Sequence, residues 1–99
     1  MEDITAQELK KRNPSETLNV VDVREEWEHQ ENNLGGANIP LASLPHRLEE
    51  LDDYKDQELI LYCRTGNRSG QAQRYLQQQG FTQVRNLLGG IEEYQQQAD

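Results

Sequence analysis

Ninety-nine residues with a mean hydropathy of −1.02 and 33% hydrophobic residues can build one modest core, and no apolar stretch approaches the roughly 18 residues of a membrane-spanning helix. A formal charge of −8 argues against nucleic acid or an anionic membrane as partner. The single cysteine excludes an internal disulfide, there is no paired Cys or His spacing for zinc, and Met1-Glu2-Asp3 lacks the basic start of a signal peptide, so one domain over residues 1–99 in a reduced, cytoplasmic setting is expected. Disorder is countered by the clustering of apolar residues at 18–23, 59–62 and 84–88, and the glutamine runs at 77–79 and 95–97 read as solvated helix faces.

Ile4 is expected to open a short edge strand, and Thr5-Ala6-Gln7-Glu8 reads as a capping box starting a helix that runs to about Arg12. Asn13-Pro14 ends it. Residues 18–23, rich in β-branched side chains, make the first strong strand, and residues 25–30 a short helix with Trp27 on its inner side. Asp22 and Arg24 at that strand's end are expected to brace neighbouring loops as a charged pair. Residues 31–36 lack apolar periodicity and end in two glycines, so they form a loop leading to a short strand over 37–39 before Pro40. A helix is expected beyond Pro45, with Leu44, Leu48 and Leu51 on one face, and then an exposed connection over 52–58.

The most informative stretch is 59–70, where the apolar run Leu59-Ile60-Leu61-Tyr62 ends at Cys63 and Arg64-Thr65-Gly66-Asn67-Arg68-Ser69-Gly70 follow. The run is continuous rather than alternating, which suits a strand covered on both faces. Gly66 and Asn67 tolerate the left-handed angles of a tight loop, and Ser69 is a good cap for a helix carrying Ala72, Tyr75 and Leu76 on one face. Cys63 therefore sits at a strand's carboxyl end, where a loop wrapping into a helix start aims several N–H groups inward. The anion such a cradle stabilises is the cysteine's own thiolate, so a lowered pKa and a nucleophilic sulfur are expected, with Arg64 and Arg68 adding charge. A buried structural cysteine would have no use for two flanking arginines.

The helix ends at Gly80, Phe81 docks back toward the core, 84–87 is a further strand, and Gly89-Gly90 turns the chain into a last helix from about Ile91. Strands alternating with helices give an α/β fold: a central parallel sheet of about five strands with helices on both faces. His29, in a glutamate-rich helix, and His46, beside Pro45, are expected at the surface, not as a catalytic base. From 59 to 91 there is no Asp or Glu, whereas Arg64, Arg68, Arg74 and Arg85 all fall there, so the loop region reads as a positive island that would steer an anionic substrate.

The stretch around Cys63 resembles the active-site loop of the rhodanese sulfurtransferases. Val20-Val21-Asp22-Val23-Arg24-Glu25, continuing through Leu34-Gly35-Gly36-Ala37-Asn38-Ile39-Pro40, resembles that family's first motif, and Asn86-Leu87-Leu88-Gly89-Gly90-Ile91 its closing motif. The three motifs stand in the family's order across nearly the whole chain. Asn33 replaces a histidine many members have, and Tyr94 a tryptophan. The resemblance implies the rhodanese fold and a sulfurtransferase that moves a sulfane sulfur from a small anionic donor such as thiosulfate to cyanide or a thiol, through a persulfide on Cys63. Arg64, Thr65, Gly66, Asn67, Arg68 and Ser69 would bind the donor and the persulfide, with no metal or organic cofactor required. The acceptor can itself be a protein. Two rivals remain at this point. A sulfur-carrier or protein-docking module would use the same persulfide. A cysteine-dependent phosphatase is disfavoured by spacing: the tyrosine-phosphatase pattern has five residues between Cys and Arg, whereas Cys63 and Arg68 enclose only Arg64-Thr65-Gly66-Asn67.

Overall fold

Alternation of apolar clusters with turn signals produces, in the computed structural model, the order α1 (Ala6–Arg12), β1 (Val20–Asp22), α2 (Glu26–Glu31), β2 (Ala37–Asn38), two 3-10 helices (Leu41–His46 and Leu48–Tyr54), β3 (Leu59–Tyr62), α3 (Asn67–Gln78), β4 (Val84–Asn86) and α4 (Gly90–Gln96). The structure describes residues 2–97; Met1, the first residue of the start read as lacking a signal, lies outside the described residues, as do Ala98 and Asp99. The sheet order is β2-β1-β3-β4, and every pairing is parallel. All four residues of β3 are fully buried, as the unbroken apolar run requires. Leu59 and Leu61 face Val21, Leu44, Leu51, Ala72, Leu76 and Phe81 on the side of α3 and the 3-10 helices. Ile60 and Tyr62 face Ile4, Leu9, Leu87 and Ile91 on the side of α1 and α4. The sheet is thus covered on both faces, as expected.

Among the described residues the sheet has four strands, not about five. Ile4 makes a single parallel bridge to Leu87, because Thr5, whose Oγ1 accepts from the Glu8 N–H at 3.0 Å, turns the chain into α1 at once. A second correction concerns residues 41–54, which form 3-10 turns instead of an α-helix. Pro45 lies inside the first; its missing N–H and its ring disfavour the α-helical ladder, while Leu44 and Leu51 still reach the core. A third concerns Trp27, which is 63% exposed. Helix α2 has no buried residue and is tied down by polar side chains, so no apolar face turns inward.

Those ties converge on Asp22, wholly buried at the end of β1. Its carboxylate accepts from the Arg24 guanidinium through Nε and Nη2, from the Arg24 N–H, and stands 2.9 Å from His29 Nδ1. Arg24 Nη2 also donates to the Asn32 carbonyl at 2.6 Å, so the pair braces the loop after α2 as anticipated. His29 is thereby part-buried against Asp22, not free at the surface; His46 is exposed.

Candidate active site

Cys63 follows β3 directly and is 1% exposed. The loop after it turns at Gly66, whose φ of +105° is the left-handed conformation glycine adopts without strain, and Gly66 is the residue that caps α3. No side chain caps that helix. Instead its unpaired N–H groups turn to sulfur: the Gly66 N–H donates to Sγ at 3.1 Å and the Ser69 N–H at 3.4 Å, with the Ser69 hydroxyl also 3.4 Å away. Ser69 is therefore not the cap expected for it but a wholly buried residue of the first turn, aimed at the sulfur. Burial pushes the Cys63 thiol up, but the Ser69 hydroxyl and the N–H groups of Ser69, Gly66 and Thr65 outweigh it, and the thiol lies below its ordinary value.

The arginines are placed differently from one another. Arg64 is 70% exposed, with Nε 3.3 Å from Glu92, and lines a cavity of about 380 Å³ together with Trp27, Glu28, Ile91 and Glu92; Cys63 is not on its wall. Arg68 makes a bidentate pair with Glu28 at 2.7 and 3.0 Å, bridging the loop to α2, and this bond, against the opposing effect of burial, holds the Glu28 carboxyl down to about 2. Thr65 and Asn67 are exposed on the loop's outer side. Three of the four arginines of the linear island are offset in three dimensions: Arg64, Arg68 and Arg85 each meet carboxylates from segments outside 59–91, Arg85 lying against Glu8 and Glu58, while Arg74 is exposed on α3. The donors observed around the sulfur are the N–H groups of Gly66 and Ser69 and the Ser69 hydroxyl.

Two residues of the closing segment, Asn86 and Gly90, read from the sequence only as part of a motif and a turn, support the loop. Asn86 donates through Nδ2 to the Gly66 carbonyl at 3.1 Å, and its Oδ1 accepts from the Ser69 hydroxyl at 2.5 Å. Gly90, at φ +64°, lets the start of α4 lie against the loop backbone: the Ile91 N–H donates to the Cys63 carbonyl at 2.9 Å and the Glu92 N–H to that of Arg64 at 3.2 Å. A Cβ on Gly90 would stand 2.3 Å from the Arg64 carbonyl oxygen. The paired glycines after Asn86 were the available signal, since a Gly-Gly step marks close backbone approach as well as a turn. The two departures noted above are accommodated: Tyr94 OH accepts from Asn13 Nδ2 at 3.1 Å, and the Asn33 side chain bonds the His29 carbonyl and the Gly35 N–H.

A family description, the rhodanese-like domain, matches residues 5–97. A sulfurtransferase of Allochromatium vinosum is 40% identical over 78% of this chain and 71% of its own length. The Bacillus subtilis protein YtwF, provisionally named a sulfurtransferase, is 37% identical over 92% of this chain and 87% of its own. YrkF of the same organism, provisionally named a sulfur carrier protein, is 35% identical over 80% of this chain, which spans only 42% of it. Among solved structures, SSP1007 from Staphylococcus saprophyticus superposes with a TM-score of 0.83 at 35% identity, over 95% of this chain and 93% of that one. The human single-domain sulfurtransferase TSTD1 shares the fold with a TM-score of 0.82, over 98% of this chain and 97% of its own.

Proposed function

Because the chain belongs to the rhodanese-like domain family, whose named relatives make it an enzyme of the rhodanese type, we propose that it moves a sulfane sulfur from thiosulfate or a similar anionic donor through a persulfide on Cys63. The observation that carries this reading is the convergence of the Thr65, Gly66 and Ser69 N–H groups and the Ser69 hydroxyl on one buried sulfur. In the first half-reaction the Cys63 thiolate attacks the outer sulfur of thiosulfate, the S–S bond of the donor breaks, and sulfite leaves with the electron pair. Arg64 holds the donor's oxygens at the loop edge. The persulfide's terminal sulfur keeps the negative charge, and the same donors stabilise it where it forms. In the second half-reaction cyanide or a thiolate attacks that terminal sulfur, and Cys63 returns as thiolate. Every step moves one electron pair and needs no outside oxidant.

The loop's size supports sulfur over phosphate. The ring between Cys63 and Arg68 holds four residues, Arg64 to Asn67, one fewer than the tyrosine-phosphatase pattern, and a shorter ring suits one added sulfur better than a phosphoryl group with three further oxygens. Wild-type protein should therefore form thiocyanate from thiosulfate and cyanide with ping-pong kinetics, Cys63→Ser should form none, and an aryl phosphate should remain intact. Hydrolysis of the aryl phosphate dependent on Cys63 would overturn the assignment. A second reading, in which the domain serves as a sulfur carrier and hands the same persulfide sulfur to a protein partner, is favoured by one specific likeness, that to YrkF, and would extend the second half-reaction without altering the first.

A further inference from the structure

We propose that Asn86 is a positioning residue for Cys63: its carboxamide sets both the Gly66 turn and the Ser69 hydroxyl, and so governs how readily the sulfur ionises. The proposal rests on the reading of Cys63 as nucleophile. Asn86 lies at the end of β4, 8% exposed, and its main-chain N–H donates to Asp3 Oδ1 at 3.1 Å, so the residue is held from behind by the N-terminal segment. Its side chain then acts in two directions. Through Nδ2 it holds the Gly66 carbonyl, the same oxygen that accepts from the Gly70 N–H at 3.0 Å, and so anchors from its carbonyl side the residue whose own N–H donates to Sγ. Through Oδ1 it holds Ser69 Oγ at 2.5 Å, and this places that oxygen 3.4 Å from the sulfur.

One hydroxyl carries one proton, and two acceptors face it. While Cys63 carries its own proton, the Ser69 proton lies on the short bond to Asn86, and the thiol S–H can point to Ser69 Oγ. When the thiol ionises, the sulfur becomes the stronger acceptor, and rotation about the Ser69 Cβ–Oγ bond turns the hydroxyl proton onto it, the short contact to Asn86 Oδ1 lengthening as its proton leaves. Asn86 thus keeps a donor parked beside the sulfur in either state. Removing the carboxamide frees both Gly66 and Ser69 from the geometry the thiolate needs.

The test is the pH dependence of iodoacetamide alkylation at Cys63, read alongside thermal melting, in wild type, Asn86→Ala, Ser69→Ala and the double variant. Cys63 is the only thiol in the chain, so the reaction reports on it alone. Wild type should reach half its maximal rate below the value of about 8.5 of a free thiol. Asn86→Ala and Ser69→Ala should each raise that midpoint by about one pH unit, equivalent to about a tenfold loss of thiolate at neutral pH. The double variant should shift no further than the larger single change, since the two residues act as one unit. A midpoint unmoved in Asn86→Ala, even with a lowered melting temperature, would make Asn86 a structural residue only and overturn the proposal, as would shifts that simply add. Should Asn86→Ala not fold, the milder Asn86→Ser, which keeps a donor and an acceptor on a shorter arm, carries the same expectation at smaller amplitude. Alkylation measures acidity and not sulfur transfer, so this proposal can fail while the sulfurtransferase reading stands.

Discussion

Arg64 in the loop and Arg68 in the first turn of α3 sit four residues apart, yet substitution should separate them. The Arg64–Glu92 pair is 70% and 49% exposed at its two ends, a setting in which an ion pair contributes at most about 1 kcal/mol, so Arg64 is free to exchange Glu92 for a donor anion. Arg64→Ala should raise the KM for thiosulfate by about five- to tenfold, the loss of one charge-assisted contact, with kcat and melting temperature nearly unchanged. Arg68→Ala strips the partner from Glu28, which is only 13% exposed, and should destabilise the domain by about 1–3 kcal/mol. Melting curves and steady-state kinetics on the two variants check this. Equal thermal losses with equal KM changes would contradict the division. The linear sequence could show that both arginines flank the cysteine, but not that each is met by a carboxylate, because Glu28 and Glu92 lie 40 and 28 positions away.

At the level of elements, the local signals were the legible ones. Thr5 before α1, the apolar run of β3, Gly66 in the loop, Gly80 after α3 and the return of Phe81 to the core all follow from the conformational preference of one residue or from a short period, and all are found in the structure. What escaped was non-local. Trp27 looked like a core residue by type, but α2 docks through Asp22, Arg24 and Glu28, and nothing in its own six residues says so. Ser69 looked like a cap by residue type, but it is the third residue of α3, and its hydroxyl meets Cys63 Sγ and Asn86 Oδ1 instead of the helix's own N–H groups. The role of the closing Gly-Gly pair is itself an element-scale prediction. Gly90→Ala places a Cβ within 2.6 Å of the Cys63 carbonyl oxygen at a φ of +64°. Together with the left-handed strain of about 1–2 kcal/mol, this should lower the melting temperature by about 8 °C or more and displace the loop under Cys63. A variant that melts as wild type and keeps full thiocyanate formation would show that α4 does not set the loop.

Across the whole molecule, acid stability should follow the carboxylates clamped by arginine. Glu58 joins Arg12 at 2.6 Å and Arg85 at 2.8 Å, tying α1, the segment before β3 and β4 together; the Arg12 bond, against some opposing desolvation, holds its carboxyl down to about 2. A carboxyl held lower in the folded state than its ordinary value of about 4.3 contributes stability that is fully present above that value and is lost as pH falls toward the folded one. Denaturant unfolding of wild type should therefore weaken between about pH 5 and pH 2, by at most about 3 kcal/mol from Glu58. Glu58→Gln should start less stable at pH 7 and lose less on acidification. Parallel pH curves for the two proteins would show that the clamp contributes nothing. The central claim, that Cys63 carries the transferred sulfur, is tested most directly by intact mass after incubation with thiosulfate. The wild type should gain one sulfur, about 32 mass units, and lose it on addition of cyanide, while Cys63→Ser gains nothing. An unchanged mass in the wild type, or the same gain in Cys63→Ser, would contradict it.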